Sequence, residues 1–169
     1  MFIFTAPVIG AELAALAAVM FWIAAEEAER LVLGVPRQWI AVVIVDAGWF
    51  VLLARLGGSR ILAAAVAAHA ISRAGAIALT WVSRPAATGF PISSRLSTMS
   101  ALGAIAEGLA ASFLAGFRGA LLLIAACYLT LRIIQQWCYK YRGGIDTAGF
   151  EIARSALQIL ILLIWSLLF

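Results

Sequence analysis

Charge is scarce in this chain. Only 12% of its 169 residues are Asp, Glu, Lys or Arg, about half the share a soluble globular domain carries. That leaves too little polar surface to coat a particle in water, so a soluble domain is excluded. Cysteine is also scarce. Cys127 and Cys138 have neither the spacing of a C-x-x-C pair nor that of a metal cluster, and in apolar surroundings each reads as a small hydrophobe. There is one histidine, His69, too few for a histidine metal site. The start, Met1-Phe2-Ile3-Phe4, lacks a basic n-region, so no cleaved signal is expected. No Walker sequence and no internal repeat occur.

What remains is apolar. Hydrophobic residues make up 65% of the chain and the mean hydropathy is +1.07. A helix needs roughly 20 apolar residues to cross a bilayer, and an unpaired backbone is not tolerated in lipid. The chain therefore reads as one all-α domain over residues 1–169, a polytopic integral membrane bundle of about six helices. The expected spans are 3–25, 38–56, 61–82, 99–117, 119–137 and 149–169, with the fourth and fifth parted only by Arg118-Gly119.

The net charge of +4 does not point to nucleic acid, because the basic residues sit in gaps between apolar runs. There they set orientation and meet lipid head groups. The first, third and fifth links hold Arg30, Arg37, Arg84, Arg95, Lys140 and Arg142, against Arg55, Arg60 and Arg118 in the second and fourth. That six-to-three split predicts cytoplasmic odd links and both termini outside, in a protein expected in a bacterial inner membrane. Trp39, Trp49, Trp81, Trp137 and Trp165, with Tyr139 and Tyr141, fall mostly near segment ends and read as interfacial belts. Small residues from Ala63 to Ala68, with Gly75, Gly103, Gly108, Ala110 and Ala111, predict close helix packing or an oligomer seam.

Ionisable groups at membrane depth are costly and mark sites by default. Asp46, His69, Arg73 and Glu107 lie near segment centres, and Glu12 lies inside the first. His69 and Arg73 are i and i+4, so they share a helix face. One reading pairs Arg73 with Asp46 or Glu107 to hold helices together. The other has His69, Arg73 and an acid line a cavity for an anionic substrate, since the arginine fork suits phosphate. Two links add candidates. The third runs Ser83-Arg84-Pro85 to Ser93-Ser94-Arg95. The fifth runs Arg142-Gly143-Gly144-Ile145-Asp146-Thr147, ahead of Glu151 and Arg154. Gly-Gly before a helix gives close backbone approach, and Asp146 either caps that helix or holds a phosphate-bound Mg²⁺.

The stretch Ala68-His69-Ala70-Ile71-Ser72-Arg73, followed by Arg84-Pro85 and Gly89, resembles the second half of the cobalamin synthase family (adenosylcobinamide-GDP ribazoletransferases). Those proteins carry an A-H-x-x-S-R type helix, a P-x-A-R-x-x-G loop and a late R-x-x-G-G-x-T-G-D-x-x-G-A link. Here the late link reads Tyr141-Arg142-Gly143-Gly144-Ile145-Asp146-Thr147-Ala148-Gly149. The resemblance spans roughly Val42 to Phe169. It implies a membrane transferase that joins a nucleotide-linked corrinoid to ribazole with Mg²⁺. His69 and Asp146 would be its catalytic residues, Asp146 the metal ligand, and Arg73, Arg84 and Arg95 the substrate contacts. Two departures stand beside it. The family's early D-G-x-A-D-x-x-D segment has no counterpart, and Asp146 comes two positions early after the Gly-Gly pair. The alternatives are a non-catalytic binding or assembly subunit, working with itself or a partner membrane chain, and a small transporter using Asp46, Glu107 and Arg73.

Overall fold

The computed structural model describes residues 48–49, 51–53, 56, 58–86 and 97–169. The expected span 3–25, most of 38–56, and the candidates Glu12, Asp46 and Arg95 lie outside the described residues. Four helices account for nearly everything else: α1 (Gly58–Val82), α2 (Thr98–Ser112), α3 (Gly116–Arg142) and α4 (Thr147–Leu168). There is no strand among the described residues, only an isolated bridge between Pro85 and Ile145.

The helices alternate in direction. Arg60, in the first turn of α1, donates to the Phe169 carbonyl at 3.0 Å, while Ile145, just before α4, bonds the chain just after α1. α4 is therefore antiparallel to α1. Gly119 of α3 lies against Leu168, and Gly149 of α4 against Cys138, so α3 and α4 are also antiparallel. α2 packs on α1 through Gly108, which sits against Ala70, Ile71 and Ala74. α1 is the central helix, with α2 and α4 as its main neighbours.

Among the described residues, three helical stretches are long and apolar enough to cross a membrane: Arg60–Val82, Thr98–Arg142 and Thr147–Leu168. The middle stretch is not straight. The expected break at Arg118-Gly119 falls instead at Phe113–Ala115, a short 3-10 turn, and at Gly116, whose φ of 74° suits a residue without a Cβ. Arg118 and Gly119 lie in the first turn of α3. The outer face of α3 is apolar and exposed at Phe117, Leu121, Leu122, Tyr128, Leu129 and Ile133, as contact with lipid requires.

Without a hydrophobic drive between helices in lipid, small residues set how near they come. Gly75 does so for α1: a Cβ there would stand 2.5 Å from Leu157 Cδ1 and 3.4 Å from Leu131 Cδ1. Gly108 does so for α2. Gly103 has nothing within 4 Å and plays no part in this packing. Two tryptophans depart from the belt reading. Trp49 and Trp165 are buried in the main core cluster, with Leu53, Leu123, Leu157 and Ile161. Trp81 and Trp137 are exposed near helix ends, consistent with a belt. Cys127 and Cys138 are buried and free, as small hydrophobes should be.

Candidate functional site

The third and fifth links meet at one end of the bundle. The Ala86 amide donates to the Ile145 carbonyl and the Ile145 amide to the Arg84 carbonyl, both at 3.0 Å. This double bond between links depends on Gly144, where a Cβ would stand 2.7 Å from Ala86 N, Arg84 O and Pro85 C. Gly143 supplies the left-handed turn that ends α3, at φ 73°. Gly-Gly here does what its place before a helix implied.

Around this clasp stand cations and aromatic rings. The Arg84 amide donates to the Tyr139 hydroxyl at 3.1 Å, and its guanidinium lies 5.4 Å from the Tyr139 ring centre. Arg142 lies 5.3 Å from the Trp137 ring and Lys140 Nζ 5.1 Å from the Tyr141 ring. Beneath them, Arg132 donates to Gln135 Oε1, and Gln135 Nε2 donates to Ser83 Oγ, each at 2.8 Å. The aromatic faces steady these cations. Such an end can hold a phosphate-bearing ligand.

Asp146 is the N-cap of α4. Its Oδ1 accepts from the Gly149 amide at 2.7 Å, and its Oδ2 pairs with Arg142. Both carboxylate oxygens are thus engaged within the link. Among the described residues no three His, Cys, Asp or Glu side chains come together as a metal-binding group.

A second group lies within the helices. Arg73 Nη1 donates to His69 Nε2 at 3.3 Å. Arginine has no acceptor, so that nitrogen carries no proton. Arg154 of α4 is within electrostatic reach of the same imidazole. Arg154 is 1% exposed and forks onto Glu151 Oε2, through Nη2 at 2.7 Å and Nε at 3.2 Å. One turn deeper, Gln158 is fully buried, and neither end of its amide has a hydrogen-bond partner among the described residues. The pairing of Arg73 with Glu107 is not made: Glu107 is exposed on α2, away from the α1 contact at Gly108.

Of the sequence candidates, His69 and Arg73 are brought together inside the bundle, and Arg84 and Asp146 at its end. Glu151, Arg154 and Gln158 were not singled out as intramembrane groups. Their spacing of three and four was the available signal, since it places all three on one face of α4. The chain matches no family model, no curated protein and no solved structure.

Proposed function

We propose that this chain is a cobalamin synthase-like membrane protein that holds a phosphate-bearing, nucleotide-linked corrinoid at the end of the bundle where the two links clasp. One observation carries the reading. Arg84-Pro85 and Gly143-Gly144-Ile145, remote in sequence and each part of the resemblance, are bonded directly to each other. The two stretches thereby present their side chains on one surface. The cations Arg84, Lys140 and Arg142 on that surface suit the phosphates of such a ligand, and His69 and Arg73 stand deeper along the same helix as Arg84's end.

The topology that serves this reading has six crossings, the first two supplied by 3–25 and 38–56, with the clasped end in the cytoplasm. The third and fifth links share an end, in keeping with the excess of Lys and Arg in the odd links. A reporter active only in the cytoplasm should be silent when fused after Phe169 and active when inserted between Ala86 and Ser97. The reverse pattern would overturn the orientation.

Holding without turnover is favoured over transfer, because both oxygens of Asp146 are committed to Gly149 and Arg142. The direct test is equilibrium binding of adenosylcobinamide-GDP to the chain in lipid nanodiscs. Binding should weaken at least tenfold in Arg84→Ala, and α-ribazole with Mg²⁺ should release no GMP. Absence of binding to the unmodified chain would overturn the function, and brisk GMP release would overturn the preference for holding.

A further inference from the structure

Glu107 is the one acid in α2, and nothing among the described residues accounts for it. It is exposed, near the middle of an apolar helix, with no hydrogen bond or ion pair to any described residue. Successive residues on a helix turn by about 100°. Ala101, Gly108 and Ser112, which are buried, define the face turned to α1. Gly103, Ala106, Glu107 and Ala110 lie on the opposite face and are all exposed. A bare carboxylate on a lipid-facing surface is among the costliest placements a membrane helix can make. Small residues beside it let a second helix come close enough to cover it.

A matching cation stands just across the break, in α3. Arg118 is exposed in the first turn of α3 and also has no hydrogen bond or ion pair to any described residue. It is misplaced there, since a helix start repels positive charge. Glu107 is five residues short of the end of α2 and Arg118 two residues past Gly116. At about 1.5 Å per residue the two differ in depth by only about 4–5 Å, within the reach of an arginine side chain.

We propose that the Gly103–Ala110 face of α2 docks against a second copy of this chain, with Glu107 of each copy paired to Arg118 of the other. Two copies inserted in the same sense are related by a twofold axis along the membrane normal, so their surfaces meet at equal depth. A self-complementary face then needs an acid and a base at nearly the same depth on one patch. Glu107 and Arg118, both exposed and close in depth, supply that acid and base, and pairing offsets part of the desolvation cost of each. The apolar rim of Phe113, Leu114 and Phe117, all exposed, surrounds the pair and keeps water from it. This inference does not depend on the corrinoid reading.

The test uses the full chain in lipid vesicles, labelled for two-colour energy transfer and titrated by protein-to-lipid ratio. The unmodified chain should dimerise. Glu107→Arg and Arg118→Glu should each weaken association about tenfold or more, and the double exchange should restore it to within about threefold. Oxidative cross-linking gives a second readout that keeps the native charges. Ala106→Cys should form a covalent dimer, and Leu129→Cys, on the outer face of α3, should not. A chain that stays monomeric at every ratio would overturn the proposal. So would equal association of all charge variants, cross-linking at Leu129→Cys as strong as at Ala106→Cys, or energy transfer only with a different membrane protein.

Discussion

The contact between α1 and α2 rests on two atoms that have no freedom to move. Replacing Gly108 by alanine adds a methyl group aimed at the Ala74 methyl, closer than two carbons can approach. Neither group has a rotamer to change, so relief requires the two helices to part along their length. Two terms oppose each other. Alanine gains about 1 kcal/mol over glycine in a helix interior. Overpacking a close contact costs about 1–3 kcal/mol, and a methyl meeting a methyl on a rigid partner belongs in the upper part of that range. Gly108→Ala should therefore lose about 1–2 kcal/mol. Gly75→Ala is the control. Its added Cβ meets Leu157 Cδ1 at 2.5 Å, the far end of a side chain that can turn, so the two terms nearly cancel and the change should stay within about 1 kcal/mol. The chain supplies its own probe, because Cys127 and Cys138 are buried and free. A thiol-reactive dye reports unfolding of the detergent-solubilised chain on heating or in rising denaturant. Gly108→Ala should expose the thiols earlier than Gly75→Ala, and adding Ala74→Gly should restore most of the loss. If Gly108→Ala proves as stable as Gly75→Ala, or if Ala74→Gly rescues nothing, close approach at this pair is not what holds α2 to α1.

Three further outcomes follow from the same geometry. Gln158→Met removes a buried amide with no partner among the described residues and should stabilise the chain by about 1–3 kcal/mol in the same thiol assay; a loss of stability would mean that the amide is bonded after all. Asp146→Ala should cost about 1 kcal/mol as a lost helix cap, while Asp146→Ser should keep most of the stability; identical behaviour of the two would refute capping as the residue's structural role. Gly144→Ala forces the links apart at three backbone atoms and should weaken ligand binding at the clasped end at least tenfold while leaving α-helical circular dichroism unchanged; unchanged binding would separate the clasp from the site.

The helices and their close packing were legible in the sequence because lipid leaves little choice. Apolar runs near the length of a bilayer crossing, with small residues in the third and fourth, allow few other structures. Boundaries were harder. Arg118-Gly119 looked like a break because polar residues end most apolar runs, yet the backbone turns at Gly116, where only dihedral freedom matters and polarity does not. Trp49 and Trp165 looked like belt residues because they lie near segment ends. They are in the core, because the helices they sit on turn those faces toward α1 and its neighbours. Sequence position gives depth along a helix but not the direction a side chain faces, and burial depends on both.

The same distinction explains why the two polar constellations looked separate. Gly75 faces Leu157 and Ala86 bonds Ile145, so in this antiparallel pair the numbers of facing residues sum to nearly the same value. By that register Gln158 stands level with Arg73, and Arg154 a turn nearer the clasped end. From Asp146 through Glu151 and Arg154 to Gln158, polar groups step inward along α4 over about 18 Å at 1.5 Å per residue. His69 and Arg73 are on the neighbouring helix at the inner part of that column. The clasp and the intramembrane group are thus two ends of one polar column, and the charge on Arg154 is the element common to both, forked onto Glu151 and acting on His69. Along that column the described charges stand largely in pairs, Arg142 with Asp146 and Arg154 with Glu151. That pairing is what lets the polar groups step into an apolar bundle, where an unpaired charge is costly.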